Sequence, residues 1–362
     1  MSRGPLDGLR VLEFAGIGPG PFAAMLLADL GADVVRIDRA GGAEWPNFPI
    51  VSRGRASILL DLKSPAGVQT CLAAIEKADV LIEGFRPGVL ERVGLGPDVA
   101  LARNPKLIYG RITGWGQSGP LAKVAGHDIN YIALAGALAP LGGGADAPLP
   151  PLNLLGDYAG GSLYLVMGIL AALLERNRSQ QGQVIDAAIV DGAASMLAPL
   201  LGMASAGAIN LDRTSNILGG RVAPNYRTYV CADGRYVAVG PLEPRFYAQL
   251  CAQLGVEARP ARTQADRDEA SAELARIFAT RSRDEWAASL QHLDVCVTPV
   301  LTPQEAARHP HLSERGTYVD ADGYCQPAAA PRFSRTPCAA PSASPVDGEG
   351  GAERLAAWGV QC

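Results

Sequence analysis

The first half of the chain alternates between two textures. "RVLEFAG", "DVVRID", "ASILLDL", "DVLIEGF" and "KLIYGRITG" are short runs in which most positions are apolar. Longer stretches stand between them, among them "FAAMLLADLGA" and "GVQTCLAAIEKA", with apolar residues recurring at helical spacing. Strands that are apolar on both faces, separated by amphipathic helices, predict a parallel sheet covered by helices on both sides. The expected fold class is α/β, with a doubly wound lobe.

Beyond "GQVIDAAIVDGAASMLAPLLGMAS" the pattern changes. "NYRTYVCADGRYVAVG" alternates polar and apolar residues around an Asp-Gly turn, the signature of an antiparallel hairpin. Two helical stretches follow, "PRFYAQLCAQLG" and a charged run from Asp266 to about Gln291. This half predicts a smaller α+β lobe. We place the large lobe over 1–200, the linker and small lobe over 201–317, and a return to the large lobe over 318–362. The Pro-, Ala- and Ser-rich tail from Pro327 is expected to pack as extended chain or to stay mobile.

Composition narrows the class. With 48% hydrophobic and 19% charged residues, the 362-residue chain reads as a soluble globular protein. A net charge of −4 argues against general binding to nucleic acid or to a membrane surface, so an anionic ligand must be met by local basic residues. Seven scattered cysteines with no CxxC pair suggest neither a disulfide framework nor a zinc site. "GSLYLVMGILAALLERN" (161–177) is apolar but too short to span a bilayer, and is expected to be a buried helix. No apolar leader precedes the first strand, and a cytoplasmic location is expected.

Candidate chemistry begins after the first strand. "EFAGIGPGPFAAM" resembles a dinucleotide-binding turn, but Gly16, Gly18 and Gly20 fall two apart and Pro21 takes the place of the last glycine. Pro19 and Pro21 also remove N–H donors that a phosphate would need. Such a turn still brings backbone close to a ligand at the carboxyl edge of the sheet. Basic residues follow successive strands toward the same edge: Arg36 and Arg39, Lys63, then Arg86 and Arg92. Further on, "KVAGHDINYIALAG" sets His127, one of four histidines, beside Asp128 and ahead of an apolar stretch. On local sequence alone it reads first as a core histidine bonded to a carbonyl. Asp157 in "NLLGDYAGGS" could likewise be a helix N-cap.

Taken together, "GPLDGLRVLEFAGIGPGPFAAMLLADLGADVVRIDR", "LLDLKSPAG", "ADVLIEGFRPGVLERVGLG", "RITGWGQSGP", "GHDINY", "NLLGDYAGGS" and "ADGRYVAVGPLEPRFY" closely resemble the α-methylacyl-CoA racemases of the class III CoA-transferase (CaiB/BaiF) superfamily. The likeness runs to about Ser334. The later tail and "GGRVAPNYR" depart from it. The resemblance implies a Rossmann-like lobe plus a smaller lobe, two interlocked chains forming a homodimer, acyl-CoA thioester substrates, and no metal or redox cofactor. It assigns His127 and Asp157 as the catalytic pair, with Glu243 of the partner chain beside the histidine. It places Arg39, Leu60, Asp61, Leu62, Lys63, Gly84, Phe85, Arg86 and Arg92 against CoA. Ile17, Gly126, Asp128, Ile129, Asn130 and Tyr131 are expected around the same ligand.

The implied reaction inverts the 2-methyl centre of a 2-methylacyl-CoA thioester. A thioester α-proton is a far weaker acid than imidazolium, whose pKa is about 6.5, so the enolate must be stabilised, by N–H donors at the thioester oxygen. The backbones of Gly126–Asp128 and Gly156–Ala159 are candidate donors. Two acid/bases on opposite faces then let either epimer react, and Asp157 must be protonated part of the time near neutral pH. Leu154, Leu155 and Tyr158 are expected to favour that state by desolvation. The alternative within the superfamily is a CoA-transferase in which Asp157 attacks the thioester and no histidine base is needed. The sequence leaves open the acyl group: branched fatty acyl, sterol side chain, bile-acid intermediate or 2-arylpropionyl.

Overall fold

The computed structural model describes residues 4–39, 48–142, 147–212, 215–219, 222–259 and 261–361. Six parallel strands form the main sheet: β1 (Arg10–Phe14), β2 (Asp33–Arg39), β3 (Arg55–Leu60), β4 (Val80–Glu83), β5 (Ile108–Thr113) and β6 (Gln183–Ala188). Their order is β3-β2-β1-β4-β5-β6, so the winding reverses between β1 and β4. That reversal opens a crevice at the carboxyl ends of the strands, where open α/β sheets take their ligands. The first five strands are buried because apolar residues project from both of their faces. One cluster contains Leu12, Val35, Leu81 and Tyr109, the other Val11, Val34, Ile82 and Ile108.

The helices of this part start where the sequence supplies caps. Proline stands in the first turn of α1 (Pro19–Asp29), α2 (Pro65–Ile75) and α4 (Pro97–Arg103), where its missing N–H costs nothing. Ser64 caps α2 by accepting the Gly67 N–H at 3.0 Å. Between α2 and α4 lies the short α3 (Val89–Arg92). Then come α5 (Asp128–Leu134), a π-helix over Leu154–Leu163, α6 (Tyr164–Ser179) and α7 (Ile189–Ser195).

The π-helix and α6 run on as one helical segment of 26 residues, longer than the sequence pattern suggested and apolar enough in length and composition to cross a membrane. One face packs on the sheet through Leu165, Val166, Ile169 and Ala172. Leu163, Met167, Leu170 and Leu174 make an exposed apolar stripe on the other. The expectation of a simply buried helix is therefore corrected: only one side is covered within this chain.

The chain divides into two compact units. The larger comprises 1–135, 151–196 and 310–362, the smaller 136–150 and 197–309. Against the expected boundaries, 136–150 groups with the smaller unit and the return begins at Pro310. The smaller unit holds α8 (Ala198–Ser205), the antiparallel β7 (Arg227–Val230) and β8 (Tyr236–Val239), α9 (Pro244–Leu254), α10 (Gln264–Phe278), α11 (Arg283–Leu290), β9 (Val297–Pro299) and α12 (Pro303–Ala306). The expected hairpin gains β9 as a third strand, antiparallel to β8. The charged run is two helices, because Ser282 starts a new one by accepting the Glu285 N–H.

The returning segment brings α13 (Pro310–Glu314), the hairpin β10 (Tyr318–Ala321) and β11 (Tyr324–Pro327), and α14 (Gly351–Ala357). The tail is thus fastened rather than loose. Leu355, Trp358 and Val360 enter the core, and the Trp358 indole N–H donates to Asp33 at 2.8 Å. Arg53, buried, ties the hairpin to α1: it donates to both Asp29 oxygens at 3.0 and 2.6 Å, to Gln326 at 2.7 Å and to the Pro327 carbonyl at 2.9 Å. Arg53→Met strands the Asp29 carboxylate, 5% exposed, and is expected to cost about 3–5 kcal/mol. The urea midpoint should fall accordingly; an unchanged midpoint would mean that the hairpin is held by other contacts.

Candidate active site

At the carboxyl ends of β1, β4 and β5 the larger unit encloses a cavity of about 770 Å³, within the range of ligand sites. Its walls come from separate strand-to-helix turns: Gly16–Pro19 and Pro21 after β1, Gly84 and Arg86 after β4, Thr113 and Gly114 after β5. Phe48–Ser52 closes one side and Gly126, His127, Tyr131, Asn153, Asp157 and Tyr158 the other.

Two of these walls are held by buried charged groups. Glu83, fully buried at the end of β4, accepts the Phe85 N–H at 2.7 Å and the Arg111 Nε at 2.7 Å. Arg111 in turn reaches Glu91 of α3 at 2.8 Å. This chain shapes the Gly84–Arg86 turn and presents Arg86 to the cavity. On the other side, buried Glu13 of β1 pairs with Arg55 of β3 at 2.7 Å. The Arg55 guanidinium also donates to the carbonyls of Val51 and Pro21, joining two walls of the cavity.

His127 stands exposed just before α5 and is the N-cap of that helix, with extended backbone (φ −132°, ψ 173°). Its own N–H donates to the Asn130 side chain at 3.1 Å, and its carbonyl accepts the Asn130 N–H at 2.8 Å. The side chain is therefore not a core histidine bonded inside the fold; it lines the cavity.

Asp157 belongs to the π-helix, whose N-cap is Asn153, so the alternative of Asp157 as N-cap is set aside. A ten-residue π-helix is longer than the usual single-turn bulge, and such segments recur at functional sites. It fits here because two backbones touch. A Cβ on Gly192 of α7 would lie 1.9 Å from the Gly160 carbonyl oxygen, and one on Gly160 would lie 2.8 Å from the Ala193 nitrogen. Ser162, fully buried, pins the same segment by donating to the Pro19 carbonyl at 2.7 Å.

The electrostatics favour a protonated Asp157. Burial pushes its carboxyl above the ordinary carboxylate range. The Asn153 side chain, donating at 3.2 Å, acts against this, the neighbouring Asp128 charge adds to it, and His127 opposes it. Tyr131 is also pushed up, first by burial and then by the charge of Asp157. Its ring stands edge-on to Trp115 at 4.8 Å, and its hydroxyl bonds the Gly126 carbonyl.

Of the residues expected around the substrate, the structure brings Ile17, Gly84, Arg86, Gly126, His127, Tyr131 and Asp157 to the cavity. Arg39 and Leu60 are neighbours at the ends of β2 and β3, followed by Asp61, Leu62 and Lys63, on the same sheet edge but outside the lining. Arg92 is exposed on α3, and Ile129 and Asn130 are exposed on α5, also outside it. Phe85 turns toward the core and meets Phe14 edge-on at 6.2 Å. Asp128 is buried beneath the site and does not line it. Glu243 lies in the smaller unit, exposed, as the N-cap of α9.

Two of the proposed oxyanion donors are corrected. The N–H groups of His127 and Asp157 are already given to Asn130 and to Asp128, the latter at 2.7 Å. Sequence reasoning missed Asn153, although its spacing of four from Asp157 places the two on one helical face. It also missed Phe48–Ser52 and the Glu83–Arg111 pair, which carry no local signal.

The fold and this site define the class: residues 6–350 match the family model for CoA-transferase family III, and the chain belongs to that family. More particularly, it is similar to "Alpha-methylacyl-CoA racemase" of Mus musculus, 47% identical over 360 residues that cover 98% of this chain and 93% of that protein. The protein of the same name from Homo sapiens is 42% identical, covering 92% and 87%. Among solved structures, a CAIB/BAIF family protein from Brucella suis superposes with a TM-score of 0.85 at 29% identity, covering 98% of this chain and all of that one.

The raised pKa of Asp157 has a signed consequence for stability. Its ionised form is disfavoured in the folded state, so folding is penalised above the folded pKa and relieved as pH falls through it toward the unfolded value. Asp157→Asn should therefore be more stable than the parent at pH 7, with the gap closing at acidic pH. A stability difference that is flat with pH in thermal melts would contradict the assignment.

Proposed function

We propose that this chain is an epimerase that inverts the 2-methyl centre of 2-methylacyl-CoA thioesters by 1,1-proton transfer. The observation that carries this reading is the placement of His127 and Asp157 on one cavity, with Asp157 biased toward its protonated form. In one direction neutral His127 removes the α-proton, the electrons move onto the thioester oxygen, and protonated Asp157 returns a proton to the opposite face of the enolate. In the other direction the roles exchange. With the His127 and Asp157 N–H groups committed, the Gly126 backbone, which lines the cavity, is assigned as the donor to the enolate oxygen.

Arg86 is assigned to a CoA phosphate at the cavity mouth, with Arg39, Lys63 and Arg92 continuing the basic edge. The unit of function is taken to be a homodimer, in which Glu243 of one chain orients the His127 imidazole of its partner. The exposed stripe Leu163, Met167, Leu170 and Leu174 supports association, since a contiguous apolar face of that kind marks an interaction surface. The enzyme is read as cytoplasmic and as needing neither metal nor nicotinamide. The transferase alternative, with Asp157 as nucleophile, leaves His127 without a task, and the racemase reading uses both groups.

Two experiments test this. Both epimers of a 2-methylacyl-CoA are incubated in deuterated water, with chelator present. The parent should exchange and invert both. His127→Ala should lose inversion by about 10²–10⁴-fold while Asp157 still exchanges one epimer, and Asp157→Ala should keep exchange of the other. Equal residual exchange of both epimers in both variants would exclude two opposed bases, and an activity restored only by added zinc would exclude the metal-free route. For the assembly, light scattering should give a dimer for the parent and a shift to monomer when Leu174 is replaced by Glu. A fully active monomeric parent would end the dimer assignment.

A further inference from the structure

Asp128 sits directly under the catalytic aspartate and touches nothing in the cavity. The residue is 6% exposed. Its Oδ2 accepts the Asp157 N–H at 2.7 Å. The fit is tight, since a Cβ on Gly156 would lie 2.4 Å from that same oxygen. Among the described residues, Oδ1 of Asp128 is buried and accepts no hydrogen bond.

That combination is costly for a purely structural cap. An asparagine would accept the same N–H without carrying a buried charge, and a buried carboxylate oxygen left without a donor keeps its full desolvation penalty. What the carboxylate supplies that an amide cannot is negative charge beside the Asp157 side chain. Like charges in close quarters favour protonation of one of them. Around Asp157, Asn153 of its own helix donates to the carboxylate, and His127 opposes the effect from the turn before α5. Tyr131 faces it from α5, and Arg86 acts on Tyr131 from the turn after β4.

We propose that Asp128 is a positioning residue that does two things through Asp157: its Oδ2 fixes the backbone of the catalytic turn, and its charge holds Asp157 in the proton-donating state that inversion requires. The inference rests on the proton-transfer reading of Asp157, and it adds to burial a second reason why that carboxyl group stays protonated often enough to act as an acid.

The test is a titration that needs no activity. In protein labelled with ¹³C-carboxyl aspartate, the Asp157 resonance is identified by its loss in Asp157→Asn and followed against pH. In the parent it should titrate above the ordinary carboxylate range. In Asp128→Asn, which keeps the acceptor and removes the charge, its midpoint should fall by about one unit, a tenfold change in protonation. The acid limb of kcat/KM should then move to lower pH by the same amount in both directions, as the epimer equilibrium requires. An unchanged Asp157 midpoint in Asp128→Asn would overturn the proposal and leave Asp128 a cap. Should that variant not fold, Asp128→Ser, which also keeps an acceptor and removes the charge, takes its place with the same expected fall of the Asp157 midpoint. An Asp157 resonance that titrates in the ordinary carboxylate range in the parent would refute the idea. A parent that exchanges no α-proton while the Asp157 midpoint still falls on loss of the Asp128 charge would sink the epimerase reading and leave the Asp128 effect standing.

Discussion

The site depends on one close approach of two backbones. Gly160 of the π-helix and Gly192 of α7 meet with no room for a side chain on either. Any larger residue would push the π-helix outward and carry Asp157 away from the turn that bears His127. Ser162 then locks the position against Pro19. The wide π turn is a less favourable hydrogen-bonding pattern than an α-helix, and it persists because the packing around it leaves the chain no better course.

Around this contact, charged groups are buried wherever a strand turns toward the cavity. Glu83 with Arg111, Glu13 with Arg55, and Asp128 beneath Asp157 all lie at or near the carboxyl edge of the sheet. The first two are opposite-charge pairs whose further donors reach backbone or a second carboxylate, as buried ions require. Their value lies in shape: a carboxylate that takes a backbone N–H, or a guanidinium that reaches two carbonyls, holds a loop in one conformation. The third is different in kind, because its neighbour is another acid. The edge therefore combines rigid walls with one deliberately unfavourable electrostatic contact, and that contact falls at the residue asked to donate a proton.

Much of the larger unit was legible in the chain. Five apolar runs became β1 to β5, because a strand buried on both faces has few sequences open to it. The sixth strand, Gln183–Ala188, was not recognised: only Ala187 and Ala188 are buried in it, so it lacks the apolar run that marks the others. The break at Ser282 within the charged run was written in a local cap, but Leu274, Phe278, Trp286 and Leu290 keep helical spacing across it and concealed it. Composition left the tail either packed as extended chain or mobile, and Leu355, Trp358 and Val360, among its last eight residues, decide it by anchoring the end in the core.

For the site, the sequence by itself determined which residue types stand at the ends of which strands, and the motif order that marks the family. His127, Asp157 and Arg86 could be named from it because each sits in a short segment whose pattern is local. Tertiary structure decided the rest. It converted an expected α-helix into a π-helix, moved Asp128 from the ligand to the underside of Asp157, committed two backbone N–H groups that looked free, and left Arg39 and Lys63 on the sheet edge outside the cavity. The reason is common to all four. Each depends on distances between segments far apart in the chain, and these are set by how closely glycine-lined backbones can pack, which no spacing along the sequence records.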